Sequence, residues 1–174
     1  MSVAVSYTSR EEIDVHRFSL GVSVGVPLLA LFIQVFLPVR LSLLTVFDLP
    51  LLVTIFFAVS RRRPVPGLIT GALIGTVEDA LSGRPIGLNG IAKTMIGYLA
   101  SSVGVRLDVD NPGSRFLMTF GFFLIHRFIY LVIDLGLVGA SEPWNWGHVL
   151  VGGLSNGLLA VPLFAVLDRF KQRN

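Results

Sequence analysis

The sequence predicts an all-α integral membrane protein, a single transmembrane domain of six helices over residues 1–174. Three observations predict it. The chain is 53% hydrophobic and only 14% charged, where soluble domains average about 25% charged, and its mean hydropathy is +0.76. Apolar runs near the ~20 residues that cross a hydrocarbon core recur along it. The basic residues are divided unevenly between alternate connections.

The first run, 18–39, follows a polar N-terminal stretch ending at Arg17. It is longer than the apolar part of a signal peptide and has no small-residue cleavage site, so it is expected to remain as a membrane helix. It carries Gly21-x-x-x-Gly25. The second run, 41–60, is separated from the first only by Arg40, with Pro38 as the breaker. The third, 67–82, is short. Gly67, Gly71, Gly75, Asp79 and Gly83 recur there every four residues and place Asp79 on a glycine stripe. The fourth, 86–105, places Gly87, Gly90, Thr94, Gly97, Ser101 and Gly104 at alternating spacings of three and four, with Lys93 beside them. Lipid gives helices no hydrophobic reason to pair, so close packing needs small residues. The two stripes mark the third and fourth spans as the packed centre. The fifth run is 116–138. The sixth, 147–167, has Gly153 and Gly157 four apart, and likewise Gly152, Asn156 and Ala160.

With the N-terminus inside, the inner segments carry ten cations: Arg10, Arg17, Arg61, Arg62, Arg63, Arg106, Arg115, Arg169, Lys171 and Arg173. The outer segments carry two, Arg40 and Arg84. That asymmetry predicts both termini in the cytoplasm. It also explains the pI of 9.8 as a topology signal, with no nucleic-acid partner implied. "RRRPVPG" reads as a topology anchor before it reads as a lipid or partner patch, and "DVDNPGS" as a polar turn.

Six ionisable residues fall inside the predicted spans: Asp48, Glu78, Asp79, Lys93, Arg127 and Asp134. Charges at such depth are expensive and face protein or water. Most collect in the outer half, and Arg127, Tyr130 and Asp134 share one face. Two readings stand: a polar notch opening outward, or interhelical ion pairs such as Asp79 with Lys93. Asp79 is expected to be satisfied by Lys93, by Asn156 or by backbone donors starting the fourth helix. Glu78, offset from the stripe near the end of a short helix, is expected to reach the interface. No catalytic, cofactor or metal site is expected. The chain has no cysteine, which excludes thiolate chemistry. "GLSNG" matches a nucleophile-elbow pattern, but an apolar helix surrounds Ser155 where a strand-to-helix turn is needed. His126 is the one histidine placed to act as a base from a neighbouring span.

The run "GLITGALIGTVEDALSGRPIGLNGIAKTMIGYL", with Asp79, Gly83, Gly87, Tyr98 and Leu99, resembles the core of the rod-shape-determining MreD family. "SNGLLAVPLF", with Asn156-Gly157, resembles that family's last span. Glu78 and Lys93 fall where the family is apolar, and suggest an ion pair of this chain's own. The resemblance implies a non-enzymatic, multi-pass subunit of the bacterial inner membrane, without cofactor. It implies MreC as partner and, through it, the actin-like MreB, the glycosyltransferase RodA and a class B penicillin-binding transpeptidase, with membrane lipid around it. It also implies a fold similar to the S-components of energy-coupling-factor vitamin transporters, which supply the alternative function, vitamin binding. Helix-packing or partner-interface candidates are Asp79, Gly71, Gly75, Gly83, Gly87, Asn156, Gly157, Lys93, Asp48, Arg127 and Asp134.

Overall fold

The structure is a computed structural model describing residues 18–36, 45–105, 111–139 and 145–172. Pro38, Arg40, the 108–110 part of the polar turn and Trp144 lie outside the described residues. The described residues are all-α: α1 Leu20–Phe36, α2 Leu49–Arg61, α3 Pro64–Leu81, α4 Leu88–Val103, α5 Pro112–Ile133 and α6 Trp146–Asp168. α5 continues as a π-helical turn, Asp134–Val138, closed by Gly139 in the left-handed region.

Local chemistry sets the helix starts. Asp48, Asn111 and Asn145 are N-caps whose side chains accept from Leu51, Gly113 and His148 N–H groups, which relieves donors that no helical carbonyl reaches. Proline stands in the first turn of α2, α3 and α5, where its missing N–H costs nothing. The α2–α3 corner turns sharply because Arg62 takes the left-handed region (φ 51°) and Pro64 follows at once.

α2 is the central helix. Leu51, Leu52, Ile55, Phe57 and Ala58 are at most 1% exposed, so an all-round apolar helix is sheathed by its neighbours. α3 and α4 form the most extensive pair, followed by α5 and α6. The first pair meets backbone to backbone. A Cβ on Gly71 would overlap the Lys93 carbonyl, one on Gly75 the Asn89 carbonyl, and one on Gly97 the Gly67 carbonyl. The second pair uses rings: Phe123, Phe120 and Phe116 rest on Gly152, Gly153 and Gly157, at 2.8, 3.0 and 2.9 Å from where a Cβ would be. The outside is apolar. Val65, Ile69, Leu73, Val77 and Leu81 form an exposed line down α3, and Leu20, Val24, Leu28 and Phe32 another on α1. Pro112–Val138 and Trp146–Asp168 are long and apolar enough to cross a membrane.

Two features differ from the sequence reading. The second helix starts at Leu49, not near residue 41. Thr45 to Asp48 carry no α-helix, because Asp48 serves as N-cap and Pro50 suits only a first turn. Gly83 and Gly87 do not extend the packing stripe. Both have positive φ, 64° and 112°, and neither would bring a Cβ within 4 Å of another group. They shape the α3–α4 turn, where the left-handed region favours glycine.

Candidate functional site

Three connected polar arrangements lie inside the bundle, away from its basic end. The first surrounds the non-helical backbone before α2. Gln34 of α1 donates its amide to the Phe47 carbonyl (2.9 Å) and accepts from Leu49 N–H (3.0 Å). Asn156 of α6 accepts from Asp48 N–H (2.8 Å) and donates to the Val46 carbonyl (2.9 Å). Each amide supplies one donor and one acceptor, so two side chains replace the backbone bonds that the break removes.

The second arrangement centres on Lys93, which is 0% exposed. Its Nζ lies 3.0 Å and 3.1 Å from the two Asp48 carboxylate oxygens. It lies 2.8 Å from Glu78 Oε2 and 3.5 Å from Asn89 Oδ1. One ammonium thus joins α2, α3 and α4. His126 of α5 completes the wall, 2% exposed, with Nδ1 4.0 Å from Asp48 Oδ2. Among the described residues neither ring nitrogen has a hydrogen-bond partner.

The third arrangement is Asp79, also 0% exposed. It does not pair with Lys93. It accepts from the backbone N–H groups of Gly87 (2.9 Å), Asn89 (3.0 Å) and Gly90 (3.2 Å), and from the Asn89 amide (2.8 Å). Gly87, at the N-cap of α4, has no side chain to offer. A carboxylate from the preceding helix caps α4 in its place, where the helix dipole favours negative charge.

Of the predicted residues, the structure joins Asp48, Lys93, Asp79 and Asn156 into this interior, with Gly71 and Gly75 setting the approach of α3 to α4. Three expectations change. The Asp79–Lys93 pair is replaced by Lys93 with Asp48 and Glu78, because the free N–H groups starting α4 claim Asp79. Glu78 does not reach an interface; it is 5% exposed and turned onto Lys93. Asn156 does not fill a packing seam; it bonds the break before α2. Arg127 lies over the Tyr130 ring at 6.0 Å. Among the described residues no ion pair joins Arg127 or Asp134 to Lys93 or its partners. Gly83 and Gly87 shape the turn beside Asp79, and Gly157 receives Phe116. Gln34 and Asn89 were not predicted. Gln34 left a signal, a single amide within an apolar run just before a break; Asn89 left none, since a helix start is an ordinary place for asparagine.

Among the described residues no three His, Asp or Glu side chains group as metal ligands. Ser155 lies in the middle of α6. A cavity of about 10 Å³ lies at the basic end among Phe56, Ser60, Arg115, Phe164, Asp168 and Lys171, about enough for one water.

An apolar exterior over an interior in which Lys93, Asp48, Glu78, Asp79 and Asn156 bond one another or backbone defines a helical membrane protein whose charges serve its own assembly. The family model for the rod shape-determining protein MreD matches residues 16–170. The chain belongs to that family, and is a cell-shape-determining membrane protein. No curated protein and no solved structure matches it.

Proposed function

We propose that this chain is the multi-pass inner-membrane subunit of the bacterial elongation machinery that binds MreC. Through MreC it reaches MreB, RodA and a class B penicillin-binding transpeptidase, and helps organise lateral peptidoglycan synthesis. The observation that carries this reading is the family match along 16–170. The interior supports it. Lys93, Asp48, Glu78 and Asp79 are engaged with one another or with backbone, an arrangement that fixes helices for a partner to recognise. A fold of S-component kind, with both termini in the cytoplasm, belongs to the same reading.

The test uses Asp79→Leu at membrane levels equal to wild type. The substitution strands three backbone N–H groups and one amide in a low-dielectric interior, and each stranded group costs about 1–3 kcal/mol. Rod shape and MreC co-purification are both expected to fall. An Asp79→Leu protein that keeps both would sink the link between this packed core and partner binding. Recovery of an ATPase module in place of MreC would instead favour the vitamin-binding reading.

A further inference from the structure

Among the described residues the basic end of the bundle holds six cations, Arg61, Arg62, Arg63, Arg115, Arg169 and Lys171, and one acid, Asp168. Three of the six are engaged within the protein. Arg61 donates to Ser23 Oγ (2.8 Å) and Thr70 Oγ1 (3.3 Å) and lies over the Phe57 ring at 5.0 Å. Arg115 and Lys171 both contact Asp168. At the α2–α3 corner the position differs. Among the described residues no carboxylate pairs with Arg62 or Arg63. The Arg62 Nε is shielded from solvent and has no acceptor, although a buried guanidinium N–H normally finds one. The corner is fixed by the left-handed Arg62 and by Pro64, so its two guanidinium groups are carried on a stiff backbone. Directly below begins the exposed apolar line of α3: Val65 at 67%, Ile69 at 50% and Leu73 at 63% exposure.

We propose that this corner binds an anionic phospholipid, with its phosphate at Arg62 and Arg63 and an acyl chain along Val65, Ile69 and Leu73. Guanidinium forks match phosphate oxygens. The apolar line runs from the corner along the helix axis, as a tail does below its headgroup. Val65 to Leu73 is eight residues, or about 12 Å of rise, close to the ~15 Å depth of one leaflet.

The test measures lipid retention by native mass spectrometry on the full chain in neutral detergent. The probes are phosphatidylglycerol, phosphatidylcholine and inorganic phosphate. Phosphatidylglycerol is expected to bind, and to weaken about fivefold for Arg63→Gln and about thirtyfold for Arg62→Gln with Arg63→Gln. Arg169→Gln, which changes an exposed cation elsewhere on the same end, is expected to leave the affinity unchanged. Ile69→Ser is expected to weaken lipid binding without altering any cation. Equal retention of phosphatidylcholine would overturn the proposal, and so would undiminished binding by the double variant. A loss in Arg169→Gln as large as in Arg63→Gln would move the charge off this corner and overturn it too. Inorganic phosphate displacing the lipid fully, with Ile69→Ser silent, would make the site one for a free anion and refute the lipid assignment. Should the double variant not fold, the exposed Arg63→Gln alone decides the charge question.

Discussion

Lys93 shows at the scale of a residue why a chain this apolar keeps buried charges. An isolated ammonium in the bilayer is costly, and here two carboxylates contact it from two other helices. The geometry predicts which partners matter. Lys93→Met should lower stability in detergent by leaving Asp48 and Glu78 facing each other without a cation. A second change, Glu78→Gln or Asp48→Asn, should recover part of the loss. Interhelical polar pairs in membranes average about 0.6 kcal/mol and reach about 1.7; a shared ammonium belongs toward the upper value. Asp79→Asn should show no such coupling to Lys93, since its oxygens are bonded to α4 backbone. Thermal unfolding of the double-mutant cycles measures all three. Coupling through Asp79 in place of Glu78 and Asp48 would contradict the geometry. From the sequence, either acid was an equally good partner for Lys93. Adjacent residues on a helix point about 100° apart, and only the position of α2 shows which one faces the lysine.

Glycine does two different jobs at the scale of an element. Gly71 and Gly75 let α3 touch the α4 backbone, while Gly83 and Gly87 let the chain turn between them. The sequence reading puts Gly71, Gly75 and Gly83 on the stripe of the third span and Gly87 on that of the fourth, because the spacings continue past the helix ends. The expected span ends at residue 82, one past the end of α3; what the spacing hides is that Gly83 already lies in the turn, with positive φ. Three substitutions separate the roles. Gly75→Ala should destabilise most, at least the 1–3 kcal/mol of an overpacked core, because the obstacle is the Asn89 carbonyl and backbone cannot rotate away. Gly83→Ala should cost about 1–2 kcal/mol, the strain of an L-residue in the left-handed region. Gly21→Ala should be neutral or slightly stabilising, since nothing described lies within 4 Å of its added methyl and alanine is the better helix former. Unfolding midpoints in one detergent give the order, and a reversal of the first and third would refute the packing argument. The α3–α4 pairing itself was legible, since long small-residue stripes in consecutive segments mean close contact. The break before α2 was legible only as a proline near an arginine. Its true edge is set by Asp48 together with Gln34 and Asn156, which are 14 and 108 positions away in the chain and follow no local pattern.

For the whole molecule, the same break bears on how the chain crosses the membrane. α2 has only 13 residues, about 20 Å of helix, against ~30 Å of hydrocarbon. Non-helical backbone at membrane depth is tolerated only when protein satisfies it, and Gln34 and Asn156 do so here. In the six-span topology we propose, the second crossing is a short helix with a bonded lead-in that carries no α-helix over Thr45 to Asp48, and does not require the long continuous helix that the apolar run alone suggests. Paired helices run antiparallel: Arg61 at the end of α2 meets Ser23 near the start of α1, Gly67 near the start of α3 meets Gly97 late in α4, and Arg115 near the start of α5 meets Asp168 at the end of α6. Those contacts gather Arg61, Arg62, Arg63, Arg115, Arg169 and Lys171 at one end, which we propose, on the positive-inside rule, to be the cytoplasmic one. Reporter fusions after Asn174 and within 141–145 should then lie on opposite sides, the first cytoplasmic and the second not. A third fusion near residue 40 should agree with the second, because α1 must cross once before the break if α2 is to end among the arginines. If residue 40 reported with Asn174, the first two helices would form a re-entrant pair on the cytoplasmic side. The Gln34 and Asn156 bonds would then lie at the wrong depth to shield the break, and the six-span topology would have to be abandoned.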